Sequence, residues 1–417
     1  MSLDRVETLI VGGGQAGLAM SHMLSRRGRS HLVLERGRIA ERWRTERWDG
    51  LRFQFPNWSV RLPDFPFRSA DADGFATSAE IVDFLTAYAA FIDAPVRSGV
   101  AVKALRLDDD GTGFLAETSD GRLSAANVVV ATGPYQQPIV PALLPDDADV
   151  FQVHASRYRE PGQLPPGAVL VVGSGASGAQ IAEELLRAGR RVFLSVGRHR
   201  RMPRRYRGRD LIWWLAEMGL DQTPVEKRGP DKTLPLITGA YGGHTIDLRL
   251  FAAQGMTLLG RISGYRDGTL EVAPDAADSV AAGDAAYTAF LDLADAYVAR
   301  HGLALPEEPS ARKLPPDPAD LVEPRRRLDL RGERVGAIIW ATGYGCDFSW
   351  IDLPVLDHRG EPVHRAGITA VRGLYFLGLQ WLSKMNSSFL AGVGDDAARI
   401  ADHIVGRATP AWPKPTR

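Results

Sequence analysis

Residues 7–17 read ETLIVGGGQAG, and residues 168–178 read AVLVVGSGASG. In each case a short apolar run ends in GxGxxG and opens into a segment with helical spacing. A second apolar run follows each helix, HLVLER at 31–36 and RVFLSV at 191–196. This strand–glycine turn–helix–strand unit is the dinucleotide-binding fingerprint. Its first glycine makes the tight turn, its second lets a pyrophosphate approach the backbone, and its third lets helix and strand pack closely. One such motif alone is a weak signal; two in full context predict two nucleotide sites.

The two units differ after the second strand. The first ends in Glu35, where a carboxylate accepts hydrogen bonds from ribose hydroxyls. The second has no acid there and reads SVGRHRRMPRRYRGRD (195–210), with seven arginines in sixteen residues. Three readings fit that run: a nucleic-acid patch, a solvated loop and a phosphate clamp. Its position favours the clamp, because arginine binds a 2′-phosphate that an acid would repel, so NADP is expected over NAD. Arg198 is the main candidate, with Arg200 and Arg201 as helpers. The arginines from Arg204 to Arg209 exceed what one phosphate needs. A formal net charge of zero over 417 residues argues against a general nucleic-acid binder.

The single cysteine, Cys346, excludes an intrachain disulfide and a CxxC relay. Two-site flavoproteins that reduce disulfides need a cysteine pair, so electrons are expected to go to oxygen, a substrate or another protein. The start of the chain has no basic segment leading into a long apolar one, and no run of about eighteen apolar residues occurs. A cytoplasmic protein without a transmembrane segment is expected, and no metal site. Further along, 96–130 reads as short strands in a meander, and NVVVATG (127–133) and AIIWATG (337–343) read as near-copies, each a buried strand with the same turn. GLYFLGL (373–379) reads as a strand and DDAARIADHIV (395–405) as a helix. The region 225–330 carries a hairpin signal at 266–268 and an amphipathic helix, and no legible chemistry.

The order of these features resembles the class B flavin-dependent monooxygenases, which include the flavin-containing monooxygenases and the plant YUCCA-type enzymes. The resemblance rests on GGGQAG with Glu35, Trp43 in ERWR, DFPF (64–67), ATGPYQQP (131–138), GSGASG, and ATGY (341–344) with GLYFLGL and GDDAARIA. It covers most of the chain and is weakest at 225–330. It implies an α/β fold of two Rossmann-like domains, the NADPH domain inserted into the FAD domain. The expected division is 1–150 and 331–406 for FAD, 151–330 for NADPH with an insertion at 225–330, and a tail at 407–417.

The resemblance places FAD on Gly12, Gly14, Gly17, Glu35, Trp43, Thr132, Gly133 and Asp396. It places NADPH on Gly173, Gly175, Ser177, Gly178 and Arg198. Asn57 stands near the place of a family asparagine that positions flavin and nucleotide, though its spacing to DFPF is shorter, and it can equally make a turn. His154 and Tyr158 match the end of the family's linker signature, while Ala148 and Val150 replace its start. Tyr158, where tryptophan is usual, leans away from Baeyer–Villiger enzymes. His154 is thus a candidate proton-transfer residue or an interdomain hinge. QWLSKMNSSFLAGVG (380–394) is expected beside the flavin, with Lys384 and Asn386 meeting a polar or anionic substrate or merely solvated.

The reaction implied is NADPH-driven insertion of one oxygen atom of O2 into a small organic substrate through a C4a-(hydro)peroxyflavin. Nitrogen, sulfur and carbonyl or 2-oxo-acid substrates all remain open. A flavin oxidase or reductase would share every nucleotide motif, and a non-catalytic redox sensor could use the same scaffold.

Overall fold

The computed structural model describes residues 4–109, 111–145, 148–229 and 233–407. The tail expected at 407–417 lies outside them from residue 408 onward. Two α/β layers carry the chain, each built on one fingerprint. In the first sheet, the strand Asp4–Val11 lies between His31–Glu35 and Gly121–Val130, parallel to both. Val96–Ser98 extends one side in parallel, and Leu374–Phe376 also pairs parallel with Gly121–Val130. Phe114–Thr118 and Val102–Leu107 complete it as an antiparallel meander. The meander expected over 96–130 thus loses its first strand, which joins the parallel part instead.

The second sheet is wholly parallel, in the order Phe151–His154, Val335–Trp340, Ala168–Val172, Val192–Ser195, Thr257–Leu259. Strands covered on both faces read as continuous apolar runs, and AVLVV is buried at all five positions. Val335–Trp340 therefore pairs in the sheet of the second fingerprint, although it follows the expected return to the first domain at 331. The reason is that a fingerprint strand needs a parallel neighbour on each side. Val130 stands beside Val11 as Trp340 stands beside Val172, so each near-copied ATG strand serves its own sheet.

The described residues of 225–330 form regular elements. They supply the fifth strand of the second sheet and the helix Ala276–His301. They also contribute the hairpin Ile262–Arg266 and Thr269–Val272, joined by Arg327–Asp329 in a three-stranded sheet. The last helix, Val393–Val405, buries Val393, Asp396, Ala397, Ile400, Ala401 and Ile404, a three-to-four spacing that lays one stripe on the first core.

Candidate functional site

Both fingerprints open onto one cavity of about 1340 Å³. The glycines do this by different means. Gly12 has φ +113° and Gly173 φ +105°, conformations that side chains rarely adopt. A Cβ on either would stand 2.6 Å from the carbonyl oxygen of Ala131 or Ala341, so each ATG turn closes directly on its fingerprint. A Cβ on Gly17 would lie 1.8 Å from Gly12 O, and one on Gly178 1.9 Å from Gly173 O. These third glycines are packing positions and do not line the cavity. Gly14 and Gly175 line it, and a Cβ there would meet nothing within 4 Å. They sit at the N-termini of the helices Gln15–Ser25 and Ala176–Arg187, where exposed N–H groups and the helix dipole favour a phosphate.

Glu35, Trp43, Thr132, Gly133, Ser177, Arg198 and Arg200 also line the cavity. Glu35 accepts hydrogen bonds from the backbone N–H groups of Gly13 (2.7 Å) and Gly37 (2.8 Å), which fixes its carboxylate at the strand end. The Gln136 side-chain amide donates to Thr132 Oγ1 (3.0 Å) and Gly133 O (2.9 Å) and holds the first ATG turn. Trp43 begins an aromatic wall. Its ring lies 5.8 Å from Phe53, Phe53 lies 5.5 Å from Phe55, and Phe55 lies 4.8 Å from Phe389. Sequence reasoning did not find this wall beyond Trp43, although FQF at 53–55 carried an alternating aromatic signal.

His154 lines the same cavity at the end of its strand. Its Nε2 lies 3.1 Å from Gly343 O, and a carbonyl only accepts, so Nε2 carries the hydrogen. Nδ1 faces Ser156 Oγ at 3.0 Å and accepts from it. Burial lowers the His154 pKa and keeps the ring neutral. This geometry ties the second ATG turn to the linker strand. Tyr158 is fully buried, and its hydroxyl donates to Glu184 at 2.7 Å.

Five candidates lie elsewhere. Arg201 does not line the cavity; its guanidinium pairs with Asp247 and Asp284, each at 2.7 Å, against the Tyr287 ring. Asn57 does not line the cavity; its amide donates to Ser69 Oγ and Asp71 O and closes a loop, the turn-making role. Asp396 is buried at the start of the last helix, where its Oδ1 accepts from Ser383 (2.5 Å) and Arg399 (2.6 Å). Lys384 and Asn386 do not face the cavity either. Lys384 pairs with Asp395 and Gln222, and Asn386 donates to Asp221 at 3.0 Å. These contacts belong to a seam in which Val225 N donates to Ser383 O, Met385 N to Thr223 O and Asn386 N to Asp221 O. The face of 380–394 that lines the cavity is instead Gln380, Trp381, Met385, Ser388, Phe389 and Leu390. Trp381 has φ +55°, which costs a side-chain-bearing residue roughly 1–2 kcal/mol.

The surplus arginines have structural partners. Arg204, with 1% of its side chain exposed, bonds both oxygens of Asp210 at 2.8 Å, donates to Gln54 O at 2.6 Å and lies over Phe75. It thereby pins the second unit to the 53–75 loop of the first. Arg205 donates to Gly242 O and Gly243 O, Arg207 pairs with Asp295, and Arg209 lies over Trp213. Arg204→Ala leaves the half-buried Asp210 with the backbone N–H of Ile212 but without its guanidinium partner, and removes the pin. A loss of about 3–5 kcal/mol is expected, read as a lower melting temperature of the holoprotein. An unchanged melting curve would contradict that role.

The comparisons with known proteins agree with this architecture. The pyridine nucleotide-disulphide oxidoreductase family matches residues 9–213. An uncharacterized CzcO-like oxidoreductase of Geobacillus kaustophilus is 34% identical over 404 residues, covering 96% of this chain and 98% of its own. A probable indole-3-pyruvate monooxygenase of Arabidopsis thaliana, YUCCA3, is 30% identical over 194 residues, 43% of this chain and 44% of its own. Among solved structures, a flavin-containing monooxygenase from Stenotrophomonas maltophilia superposes with a TM-score of 0.65 at 18% identity, covering 97% of this chain and 99% of its own. Fold and site together define an α/β chain with two dinucleotide-binding fingerprints that open onto one cavity. The chain belongs to the CzcO-like oxidoreductases. Among the described residues, no helix is long and apolar enough to cross a membrane.

Proposed function

We propose that the protein is an FAD- and NADPH-dependent monooxygenase that inserts one oxygen atom of O2 into a small organic substrate. One observation carries the reading: Gly14 and Gly175 present open backbone to the same cavity, with an aromatic wall along it. Residues 12–14, Glu35, Trp43, Thr132 and Gly133 would hold FAD, and residues 173–177 with Arg198 and Arg200 would hold NADPH. When bound, the nicotinamide supplies hydride and the reduced flavin activates O2.

The chain's own residues bind, orient and exclude water. Trp43, Phe53, Phe55 and Phe389 give the cavity a dry wall, which strengthens polar contacts inside it and suppresses side reactions. His154, neutral with its Nε2–H directed at Gly343 O, would hold the second ATG turn to the linker and move no proton. With one cysteine in the chain, half-buried and 3.6 Å from Pro134 O, no thiol pair is available to carry electrons onward.

The nucleotide preference has its own test. Arg198 is exposed and lines the cavity just past the strand Val192–Ser195. Arg198→Ala is expected to raise KM for NADPH about 10-fold, as for loss of one screened charge-assisted contact, and to leave NADH use unchanged. Equal loss with both nucleotides would show that Arg198 does not read the 2′-phosphate. The reading as a whole requires purified protein that is yellow and oxidises NADPH in air. Colourless protein that leaves NADPH untouched would support a non-catalytic scaffold instead.

A further inference from the structure

Arginine is frequent around the cavity, and its placement sorts it. Arg36 and Arg198 follow the second strands of the two fingerprints, and Arg200 lies close behind Arg198. Arg42 is paired with Glu46. Arg228 belongs to neither nucleotide turn. It follows the short turn Val225–Lys227, which the seam to Ser383 fixes in place. Its guanidinium carbon stands 5.2 Å from the centre of the Trp381 ring, so residues from the two units meet there.

Three features set Arg228 apart. Among the described residues no carboxylate pairs with it, and its Nε is buried without a hydrogen-bond partner. Among the described residues, burial is the one influence on its charge, and it lowers the pKa. Trp381 and Met385, from the seam, line the same cavity, and Met385 packs against the apolar cluster that holds Leu215. A guanidinium drawn partly out of water without an anion costs free energy that an arriving anion returns. Its planar fork fits a carboxylate through two parallel hydrogen bonds. Trp381 beneath it holds the plane by a cation–π contact. The unfavourable backbone of Trp381 lies in the cavity wall, where strained residues often serve a ligand.

We infer that Arg228, laid on the face of Trp381, anchors the carboxylate of a substrate whose remaining body is apolar and lies along the aromatic wall. The inference rests on the monooxygenase reading of this cavity and narrows it: the substrate is an organic acid with an aromatic or aliphatic body, not a simple amine or neutral sulfide. It also supplies the anion contact that Lys384 and Asn386, engaged in the seam, do not offer.

The test uses binding, which needs no turnover. Purified FAD-loaded protein is titrated with a series of aryl-alkanoic acids, from phenylacetate to 3-(1-naphthyl)propanoate, and with the matching primary amides. Tryptophan fluorescence and the flavin spectrum report binding. The acids are expected to bind about 10- to 100-fold more tightly than their amides, the size of one charge-assisted bidentate contact. Arg228→Gln is expected to abolish that difference and Arg228→Lys to keep part of it, while the affinity of each variant for NADPH matches the parent's. Equal binding of acids and amides by the parent overturns the inference, as does failure of every acid at millimolar concentration. A variant that loses NADPH and keeps the acids assigns Arg228 to the nucleotide and overturns it as well. Acids that bind through Arg228, while no amine, sulfide, indole or 2-oxo acid takes up oxygen from O2, would refute the monooxygenase reading alone. Oxygenation confined to neutral compounds would refute this inference alone.

Discussion

Gly14→Val yields a folded protein without flavin. Gly14 is the N-cap of its helix at φ −86°, ψ −171°, extended backbone that valine adopts freely, and a Cβ there meets no protein atom within 4 Å. The flavin-free variant is therefore expected within about 1 kcal/mol of the flavin-free parent, the cost of a poorer cap. Its isopropyl group occupies the space through which a pyrophosphate must approach, so bound flavin falls to near zero. Gly17→Ala, three residues on, is expected to differ in kind. Its one added carbon falls 1.8 Å from Gly12 O, a backbone atom that cannot move alone. About 3 kcal/mol of stability should be lost as the turn and helix separate, read as a lower urea midpoint of the flavin-free forms. If both variants retain flavin, the first fingerprint is not its site.

Gly175→Val separates the two nucleotides. Gly175 is again an open N-cap, at φ −68°, ψ 179°. The variant is expected to stay yellow, because the first fingerprint is intact, and dithionite is expected to bleach it. NADPH is expected to bleach it at least about 100-fold less well, since the blocked pyrophosphate loses several backbone hydrogen bonds. Loss of flavin together with NADPH reduction would mean that the two turns do not serve separate nucleotides.

The contrast shows what was legible in the sequence. The fingerprints were readable because their glycine requirements are local: a tight turn, an open face and a close approach, each at a fixed offset. The meander and the last helix were readable for the same reason, through spacing and turn residues. The partner sheet of Val335–Trp340 depends on pairing with strands far away in the chain. Yet the likeness of its ATG turn to the first one held the clue that it closes on Gly173 as the first closes on Gly12.

The arginine run shows the limit more sharply. Arg200–Arg201 is a short strand, and strand neighbours face opposite sides. Arg200 therefore faces the cavity while Arg201 faces the helix Ala276–His301 and its Asp284. That alternation could have been applied to the letters once the strand was known, but two residues are too short to announce one. Lys384 and Asn386 turn to Gln222 and Asp221, more than 160 residues earlier in the chain, and a pairing at that distance leaves no local signal. Arg228 stayed invisible for the same reason. Its meaning arises only when the seam brings it over Trp381.

The central claim is that one atom of O2 enters the substrate, and isotope labelling tests it directly. With ¹⁸O2, NADPH and a substrate that stimulates NADPH consumption, the account predicts one ¹⁸O atom in the organic product and the other in water. Label found wholly in water and hydrogen peroxide, with none in any product across the amines, sulfides, indoles and carboxylic or 2-oxo acids tried, would contradict it.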